Sequence, residues 1–321
     1  GHARGAVIGS SLANIMSAAG YRVTREYYIN DAGNQMQLFF ESVLARYREL
    51  LGIPFELPEG GYQGDYIKDV AELVRSEFGD SLIDNSDAIN EMAQFSTDTM
   101  LNAISDDLCE LRVEFDNWFS EKSLFGSDEY TDTIGELESK SYLKEMDSAL
   151  WFVSTMLEEE KDNVIVKSTG EPTYFASDIA YHRNKFKTRE FDQVIDIWGA
   201  DHQGHISRLK AAMRALDIDD SKLKILISQM VTLKQGDEIV KASKRTGDFI
   251  TVKELVEEVG ADACRYFFLT RSASSQMEFD MELAKQTSNE NPVYYIQYAH
   301  ARIKNILALA SDNEIDWYQA D

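Results

Sequence analysis

The stretch FDQVIDIWGADHQGHISRLKAAMRAL constrains the fold of this chain more than any other part of its sequence. Its first apolar residues, Val194, Ile195 and Ile197, predict a buried strand. Gly199 then predicts a tight turn, and the residues after it have the spacing of an amphipathic helix. A strand that leads directly into a helix is typical of a parallel α/β sheet, in which ligands bind beyond the carboxyl ends of the strands. We therefore expect an α/β fold with a binding site close to Gly199.

The first third of the chain is compatible with the same fold class. Apolar residues recur at helical spacing in the opening stretch, and Gly20 ends that predicted helix. A period of two over 21–29 predicts a strand, and helical patterns cover about 35–51 and 66–119. The order of helix, turn and strand is the expected beginning of a parallel α/β sheet.

The rest of the chain continues this alternation. The pattern over 149–175 predicts short strands and a hairpin, and KLKILISQMVTL predicts one further strand. Thr251 and Glu254 form a capping-box pattern at the start of a helix that Gly260 ends. The last predicted helix has an apolar face, which we expect to pack against the preceding part of the chain. Its residues are Val293, Ile296, Ile303, and Ile306 or Leu307.

The net charge of −24 comes from 32 basic and 56 acidic residues. Nucleic-acid phosphates bind clustered Lys and Arg, so a nucleic acid would have to contact a local basic surface or a part of the protein outside this sequence. Cys109 and Cys264 lie far apart, which argues against a zinc ribbon and suits a reducing cytoplasm. No run approaches the roughly 18 apolar residues of a membrane span, and nothing resembles a signal peptide.

Three stretches carry candidate chemistry, and the first is the pair Gly1-His2 at the start of the opening helix. Unpaired N–H groups and the helix dipole favour anions at such a position. A glycine would let a phosphate or purine approach closely, and His2 could donate a hydrogen bond to a phosphoryl oxygen. A surface histidine without a function is the alternative.

The second stretch, WGADHQGH, lies where the strand before Gly199 ends. Asp201 could accept hydrogen bonds from ribose hydroxyls, and His202 and His205 would face the same crevice. A metal site formed by these three residues is the alternative. Their spacing lacks the additional ligand of a metalloprotease motif, which favours the nucleotide interpretation.

The third stretch, KASKRTGDFI, is a basic, glycine-containing loop in an otherwise acidic chain. Lys241, Lys244 and Arg245 flank small residues, and Thr246 and Gly247 provide a hinge. Positive charge on a movable loop suits a polyphosphate whose negative charge increases during group transfer. A solvated basic turn is the alternative.

Together these stretches resemble the class I aminoacyl-tRNA synthetases. Gly1-His2 resembles the second half of their His-x-Gly-His signature, and KASKR resembles their Lys-Met-Ser-Lys-Ser loop. Five stretches resemble the arginyl-tRNA synthetases in particular: GHARGAVIG, REYYINDAGNQM, FDNWFSEKSLF, EPTYFASDIAYHRNKF and GADHQGH. The resemblance covers essentially the whole chain. It departs from the pattern at Ala242, where Met or Val is usual, and at Arg245, where many class I enzymes have Ser.

The resemblance implies a domain organisation. A Rossmann-like catalytic domain would cover 1–285, with insertions at about 34–91 and 120–170, and 286–321 would begin a helical anticodon-binding domain. The chain would then lack the first histidine of the signature, an N-terminal domain and most of the anticodon-binding domain. On that basis we expect little or no tRNA charging by these 321 residues alone.

The resemblance also implies roles for individual residues. Catalytic roles would belong to three basic side chains: His2, Lys241 and Lys244. ATP would be bound by Gly1, His2, Gly199, Asp201, His205, Met230, Val231 and Lys244. The arginine side chain would be bound by Glu121, Tyr174, Asp178 and His202. Two carboxylates and a phenol suit a guanidinium, because its five donors form a rigid fork.

The implied reaction converts L-arginine and ATP to arginyl-adenylate and transfers the arginyl group to tRNA-Arg, in the cytoplasm and in a monomeric enzyme. Mg²⁺ would enter with ATP, without dedicated protein ligands. One alternative is another class I synthetase or a nucleotidylyltransferase, which would lack the set of Glu121, Tyr174 and Asp178. The other is a module that holds arginine, ATP or RNA without turnover. Taken singly, Tyr174 could be a half-buried strand residue and Glu121 a charge on a helix surface.

Overall fold

The computed structural model describes residues 2–80, 82, 86–236, 238–239 and 250–317. The helices are α1 (His2–Ala18), α2 (Asn34–Leu50), α3 (Asp65–Phe78), α4 (Ser86–Glu110), α5 (Lys122–Gly126), α6 (Glu129–Ser139), α7 (Tyr174–Arg183), α8 (Ile206–Ala215), α9 (Val252–Val259), α10 (Ala261–Leu269), α11 (Met281–Lys285) and α12 (Pro292–Asp312). The strands are β1 (Glu26–Ile29), β2 (Asn117–Ser120), β3 (Leu143–Met146), β4 (Ala149–Phe152), β5 (Asn163–Val166), β6 (Val194–Gly199), β7 (Leu223–Ser228), β8 (Val231–Gln235), β9 (Glu238–Ile239) and β10 (Met277–Asp280).

The parallel strand pairs are the part of the fold that positions the site. β1 pairs with β2, β6 pairs with β7, and β8 pairs with β10, all in parallel. Gly199 lies opposite Ser228, so β6 and β7 end together. β3, β4 and β5 form an antiparallel sheet, which confirms the hairpin predicted within 149–175. Parallel pairs joined through helices confirm the α/β class.

Two glycines allow α1 to lie close to this sheet. A Cβ atom at Gly5 would lie 3.5 Å from Ile197 Cγ2 and 4.0 Å from Ser228 Cβ. At Gly9 it would lie 2.8 Å from Ile197 Cδ1, closer than ordinary van der Waals contact. The small residues therefore bring the first two turns of α1 against the ends of β6 and β7.

The buried apolar residues form separate clusters. One joins α7, α8, β5 and β6 and includes Phe175, Ile179 and Leu209. A second joins α1 to α10 and β10 through Val7 and Phe279. Helices α2, α3 and α4 enclose a cluster of their own. The predicted insertions and domain limits stay predictions, because a separate cluster does not locate a domain boundary.

The structure corrects two predicted segments. The strand predicted over 21–29 is formed only by its last four residues, because the Arg25 N–H donates to Asp116 Oδ2 at 2.7 Å instead of to a neighbouring strand. The helical pattern over 66–119 also hides β2, whose Trp118 lies opposite Tyr27 of β1. These two strands carry residues of the site described below.

Two corrections concern the second half of the chain. KLKILISQMVTL forms two strands, β7 and β8, which pair with different partners. The apolar face of α12 does not pack as expected: Val293 is buried, but Ile296, Ile303 and Ile306 are 51%, 56% and 58% exposed. The predicted helix itself is confirmed, as is the capping box of α9. Among the described helices, none combines the length and apolar character that crossing a bilayer requires.

Candidate active site

The N-terminus of α1 lies at the edge where β6 and β7 end. Arg4 is fully buried, and its guanidinium donates a hydrogen bond to the Gln229 carbonyl at 3.3 Å. Gln229 directly follows β7 and precedes Met230, so the end of α1 that carries His2 lies beside the start of β8. This arrangement brings together predicted ATP-binding residues from three separate parts of the chain.

All five hydrogen-bond partners of the Arg4 guanidinium are main-chain carbonyls. Their distances from the donor nitrogens are 3.3 Å for Phe268, 3.3 Å for Gln229, 2.7 Å for Ser275, 3.1 Å for Arg271 and 2.8 Å for Ser272. Five donors on one planar group match the five carbonyls, so the side chain fixes α1 to the loop before β10. Nothing in the sequence pattern distinguished this arginine from a surface charge.

The turn after β6 holds the residues predicted from WGADHQGH. Gly199 ends the strand, and a Cβ atom there would lie only 2.5 Å from Asp201 Oδ1. The side chains of Asp201 and His202 are 82% and 55% exposed, and Asp201 Oδ2 lies 3.5 Å from His202 Nε2. Burial, and then the charge of Arg208, lowers the pKa of His205. His205 is therefore predominantly neutral at pH 7 and can accept or donate a hydrogen bond.

The structure describes only some of the remaining residues that are predicted to bind ATP. Val231 begins β8, and the preceding Met230 is 63% exposed. Gly1, Lys241 and Lys244 lie outside the described residues. Within the described part of the chain, no group of three or more His, Cys, Asp or Glu side chains is arranged to hold a metal ion, and this includes Asp201 with the two neighbouring histidines.

Glu121 directly follows β2, where it is buried but incompletely paired. The residue is 3% exposed, and Oε2 has no hydrogen-bond partner within the described protein. Burial raises the pKa of Glu121, and the negative charges of Asp178 and Asp31 raise it further. The Ser177 and Tyr28 hydroxyls act in the opposite direction. A buried carboxylate oxygen without a donor is costly unless a ligand supplies one.

Asp178 and Tyr174 lie one helical turn apart on α7. Burial, followed in part by repulsion from Asp196, raises the pKa of Asp178 to about 6. Tyr174 is 55% exposed, and its hydroxyl lies 4.0 Å from where a Cβ of Gly33 would be. The phenol therefore lies above the turn that follows β1, and Tyr174 begins a helix instead of the strand considered as its alternative.

The structure adds neighbours that the sequence did not reveal. Asp31, after β1, accepts hydrogen bonds from Ser120 Oγ at 2.5 Å and from the Lys122 N–H at 2.9 Å. Burial raises the pKa of Tyr28, and the charges of Glu121 and Asp178 raise it further, which keeps this phenol protonated. Two of the residues predicted to bind arginine, Glu121 and Asp178, thus interact with Tyr28, and Glu121 also interacts with Asp31. Another of them, His202, lies in the turn after β6, where it contacts Asp201 and the Trp198 ring.

A buried charged network lies behind Asp178. His182 Nε2 is 2.6 Å from Asp196 Oδ2, and Lys185 Nζ is 2.8 Å from Asp196 Oδ1. Burial alone would raise the pKa of Asp196, but Lys185 and His182 hold it well below its usual range. The sequence contained one signal for this network. Asp196 is a charged residue inside the apolar strand VIDIW, and a buried charge requires a partner.

The carboxylates of Glu121 and Asp178, with two phenols nearby, form a site for a cation with several hydrogen-bond donors. Such a ligand would neutralise the repulsion that raises both pKa values, and it would pair the free oxygen of Glu121. The edge at His2, Gly199 and Met230 offers a helix N-terminus, which suits an anion.

Comparison with known proteins shows the family of the chain. The family model of the catalytic domain of class I tRNA synthetases of the arginine (R) type matches residues 1–305. The chain belongs to the class I arginyl-tRNA synthetase family. The family resemblance and the Rossmann-like α/β class predicted from the sequence are therefore confirmed.

The relatives include proteins named arginine–tRNA ligase from several bacteria. The Dehalococcoides mccartyi protein is 53% identical over 323 residues, which cover all of this chain and 58% of the relative. The Carboxydothermus hydrogenoformans protein is 52% identical over 308 residues, which cover 95% of this chain and 55% of the relative. The chain thus spans less than two thirds of the length of these synthetases.

Solved structures of the family have the same fold. An arginyl-tRNA synthetase chain from Campylobacter jejuni superposes with a TM-score of 0.88 at 38% identity, covering 97% of this chain and 68% of the other. The Thermus thermophilus arginyl-tRNA synthetase gives a TM-score of 0.67 at 19% identity, covering 97% of this chain and 62% of the other, which supports the fold alone.

Proposed function

We propose that this chain is the catalytic core of an arginine–tRNA ligase. L-Arginine and ATP give arginyl-adenylate and pyrophosphate, and the arginyl group then passes to the terminal ribose of tRNA-Arg. The observation that carries the proposal is the buried Glu121 carboxylate, one oxygen of which has no partner within the described protein, with the carboxylate of Asp178 close enough to raise its pKa. A guanidinium supplies a positive charge to both carboxylates and a donor to the unpaired oxygen of Glu121.

In the proposed arginine site, Glu121 and Asp178 bind the guanidinium from two sides, and Tyr174 covers it. Lysine is a poorer match, because one ammonium has three donors on a single atom and cannot bond to both carboxylates and the phenol in one plane. We propose that His202 borders this site from the turn after β6, where it is close to the ATP edge.

In the proposed ATP site, His2 contacts the phosphates at the N-terminus of α1 and Gly1 leaves room for the adenosine. Gly199 and Asp201 contact the adenine and ribose, with His205 beside them, and the Met230–Val231 backbone flanks the adenine. Lys241 and Lys244 contact the phosphates that leave. Mg²⁺ accompanies ATP and screens its phosphate charge.

The activation step requires positioning and charge stabilisation instead of a covalent enzyme intermediate. An arginine carboxylate oxygen attacks the α-phosphorus, the bond from that phosphorus to the bridging oxygen breaks, and pyrophosphate leaves with the bonding electrons. In the transfer step, a ribose hydroxyl attacks the activated carbonyl and AMP leaves.

The cysteine pattern and the family support a cytoplasmic location, and we propose a monomer.

The proposal is tested by arginine-dependent exchange of pyrophosphate into ATP, with and without tRNA-Arg, in this chain and in the full-length protein. Exchange by the full-length protein with arginine, but not with other amino acids, is the expected result. A nucleotidylyltransferase would exchange without arginine. A binding module would bind arginine or ATP without exchange in either form.

Lys244→Ala in the full-length protein is expected to lower kcat while the arginine KM stays nearly constant. The reason is that the contact with the leaving phosphates strengthens only in the transition state. Loss of one such donor costs about 3–4 kcal/mol, or roughly two to three orders of magnitude in rate. Steady-state exchange kinetics measure both constants. A loss confined to the KM for ATP would instead assign Lys244 to ground-state binding.

A further inference from the structure

Two oxygen atoms flank the imidazole ring of His182. Nδ1 lies 2.7 Å from the main-chain oxygen of Asp178, and Nε2 lies 2.6 Å from Asp196 Oδ2. A carbonyl oxygen only accepts, and so does an ionised carboxylate. Lys185 donates to the other oxygen of Asp196 at 2.8 Å, which favours its ionised form. Both ring nitrogens of His182 therefore face oxygens that only accept, an arrangement that favours the cationic ring.

With a cationic His182, this network holds one more positive than negative charge in the interior. The side chains of His182, Lys185 and Asp196 are 3%, 9% and 9% exposed, and they contribute two positive charges and one negative charge. Lys185 Nζ also lies 3.9 Å from the centroid of the Tyr181 ring, which favours a cation there. One buried positive charge is thus not balanced within the network. Asp178 is the acidic residue beside it, since its main-chain oxygen contacts the His182 ring.

We propose that His182 and Lys185 are positioning residues that supply the buried positive charge needed to keep Asp178 ionised for a cationic amino acid. This inference rests on the proposed function for its ligand, but its electrostatic part concerns the protein alone. Without the two cations, burial and the neighbouring carboxylates would favour a protonated Asp178, which could not form an ion pair with a guanidinium.

Other groups also shift the pKa of Asp178, and they must be considered when its titration is interpreted. The titratable groups that interact with it come from its own helix and the turn after it, from β6, from α8, from the residue after β2 and from β1: His182, Lys185, Asp196, Arg208, Glu121 and Tyr28. Arg208 lies over the Phe175 ring at 4.7 Å and lowers the pKa of Asp178, in the same direction as His182 and Lys185.

Arg183 offers a matched control on the same helix. It is adjacent to His182 and carries a positive charge, but it pairs with Glu129 and Glu136 of α6, at 3.3 Å and 3.1 Å. Arg183→Gln thus removes one positive charge from the same turn of α7 without removing a group of the buried network.

The electrostatic part is tested by the carboxyl ¹³C signal of Asp178 in ligand-free protein labelled at its aspartates, identified through Asp178→Asn. The parent is expected to titrate near pH 6. His182→Gln and Lys185→Met are each expected to move the midpoint upward by about one pH unit or more. Lys185→Arg, which keeps the charge, and Arg183→Gln are expected to leave it in place. Unmoved midpoints in both charge-removing variants would overturn the proposal, and if one variant fails to fold, the other decides.

Arginine binding to the full-length protein as a function of pH tests the link to function. Because only ionised Asp178 pairs with arginine, affinity should rise with pH through the midpoint of Asp178. In His182→Gln the Kd at pH 7 is expected to rise about 2- to 10-fold and to recover near pH 9. A loss that is equal at every pH would mean that His182 only supports the fold. If the Asp178 midpoint moves but the parent binds no arginine, the proposed function fails while the charge assignment stands.

Discussion

Asp178→Asn is expected to weaken arginine binding by about 2–5 kcal/mol, the usual loss when one partner of a buried charged contact is removed. The substitution keeps the size of the side chain but leaves the guanidinium with the Glu121 carboxylate alone. ATP binding should stay near the parent value, because the ATP edge lies at the ends of β6 and β7. Calorimetric titration of arginine and of ATP into the full-length protein measures both effects.

Glu121→Gln is also expected to weaken arginine binding. Two other ligands serve as controls for the interpretation of both variants. Lysine keeps the charge without the planar fork, and citrulline keeps the shape without the charge. Citrulline would leave two carboxylates facing an acceptor oxygen, so discrimination of about 10⁴-fold or more is expected. If both variants bind arginine as the parent does, the pocket lies elsewhere and the assignment of these residues is wrong.

Arg4→Met is expected to lower the free energy of unfolding by about 3 kcal/mol or more. The methionine fills part of the space but leaves five main-chain carbonyls without their donor, and each buried unpaired group costs about 1–3 kcal/mol. Such a loss is a large fraction of the stability of an ordinary domain. Urea unfolding followed by tryptophan fluorescence gives the measurement.

Arg271→Met is the matched control for Arg4→Met. It makes the same chemical change on the exposed surface of the loop whose carbonyls Arg4 binds, and an effect within about 0.5 kcal/mol is expected. Arg4→Lys should fall between them, because an ammonium keeps the charge but has three donors. Equal stability of Arg4→Met and Arg271→Met would show that the buried guanidinium is not what joins α1 to this loop.

Periodicity was sufficient to predict an element where its apolar residues follow a regular pattern. It predicted α1, α2, α9, α12 and the strand β6, because each repeats apolar residues at the spacing of its own element. It failed at β2, where four residues of mixed character form a strand only because β1 lies beside them. It also failed for the apolar face of α12, since spacing shows that a face exists and not what covers it.

The residues of the candidate site also divide into those that the sequence predicted and those that it did not. The sequence placed Glu121, Tyr174 and Asp178 through their resemblance to the family, and their association with one another stays consistent with that prediction. It did not reveal Arg4 or the pairing of His182 with Asp196, since these depend on contacts between residues 14 to 271 positions apart. Neither histidine spacing nor helix periodicity encodes a partner on another element.

The contacts of Arg4 also determine when the beginning of the chain can acquire its native surroundings. Its carbonyl partners lie at 229 and 268–275, up to 271 positions later. A ribosome adds about 5–20 residues per second, so roughly 15–50 s separate the synthesis of α1 from that of its anchoring loop. During that interval the 17-residue helix has an unsatisfied cation and an uncovered Val7. Helix α1 can therefore acquire its native surroundings only after the residues up to Ser275 have been made.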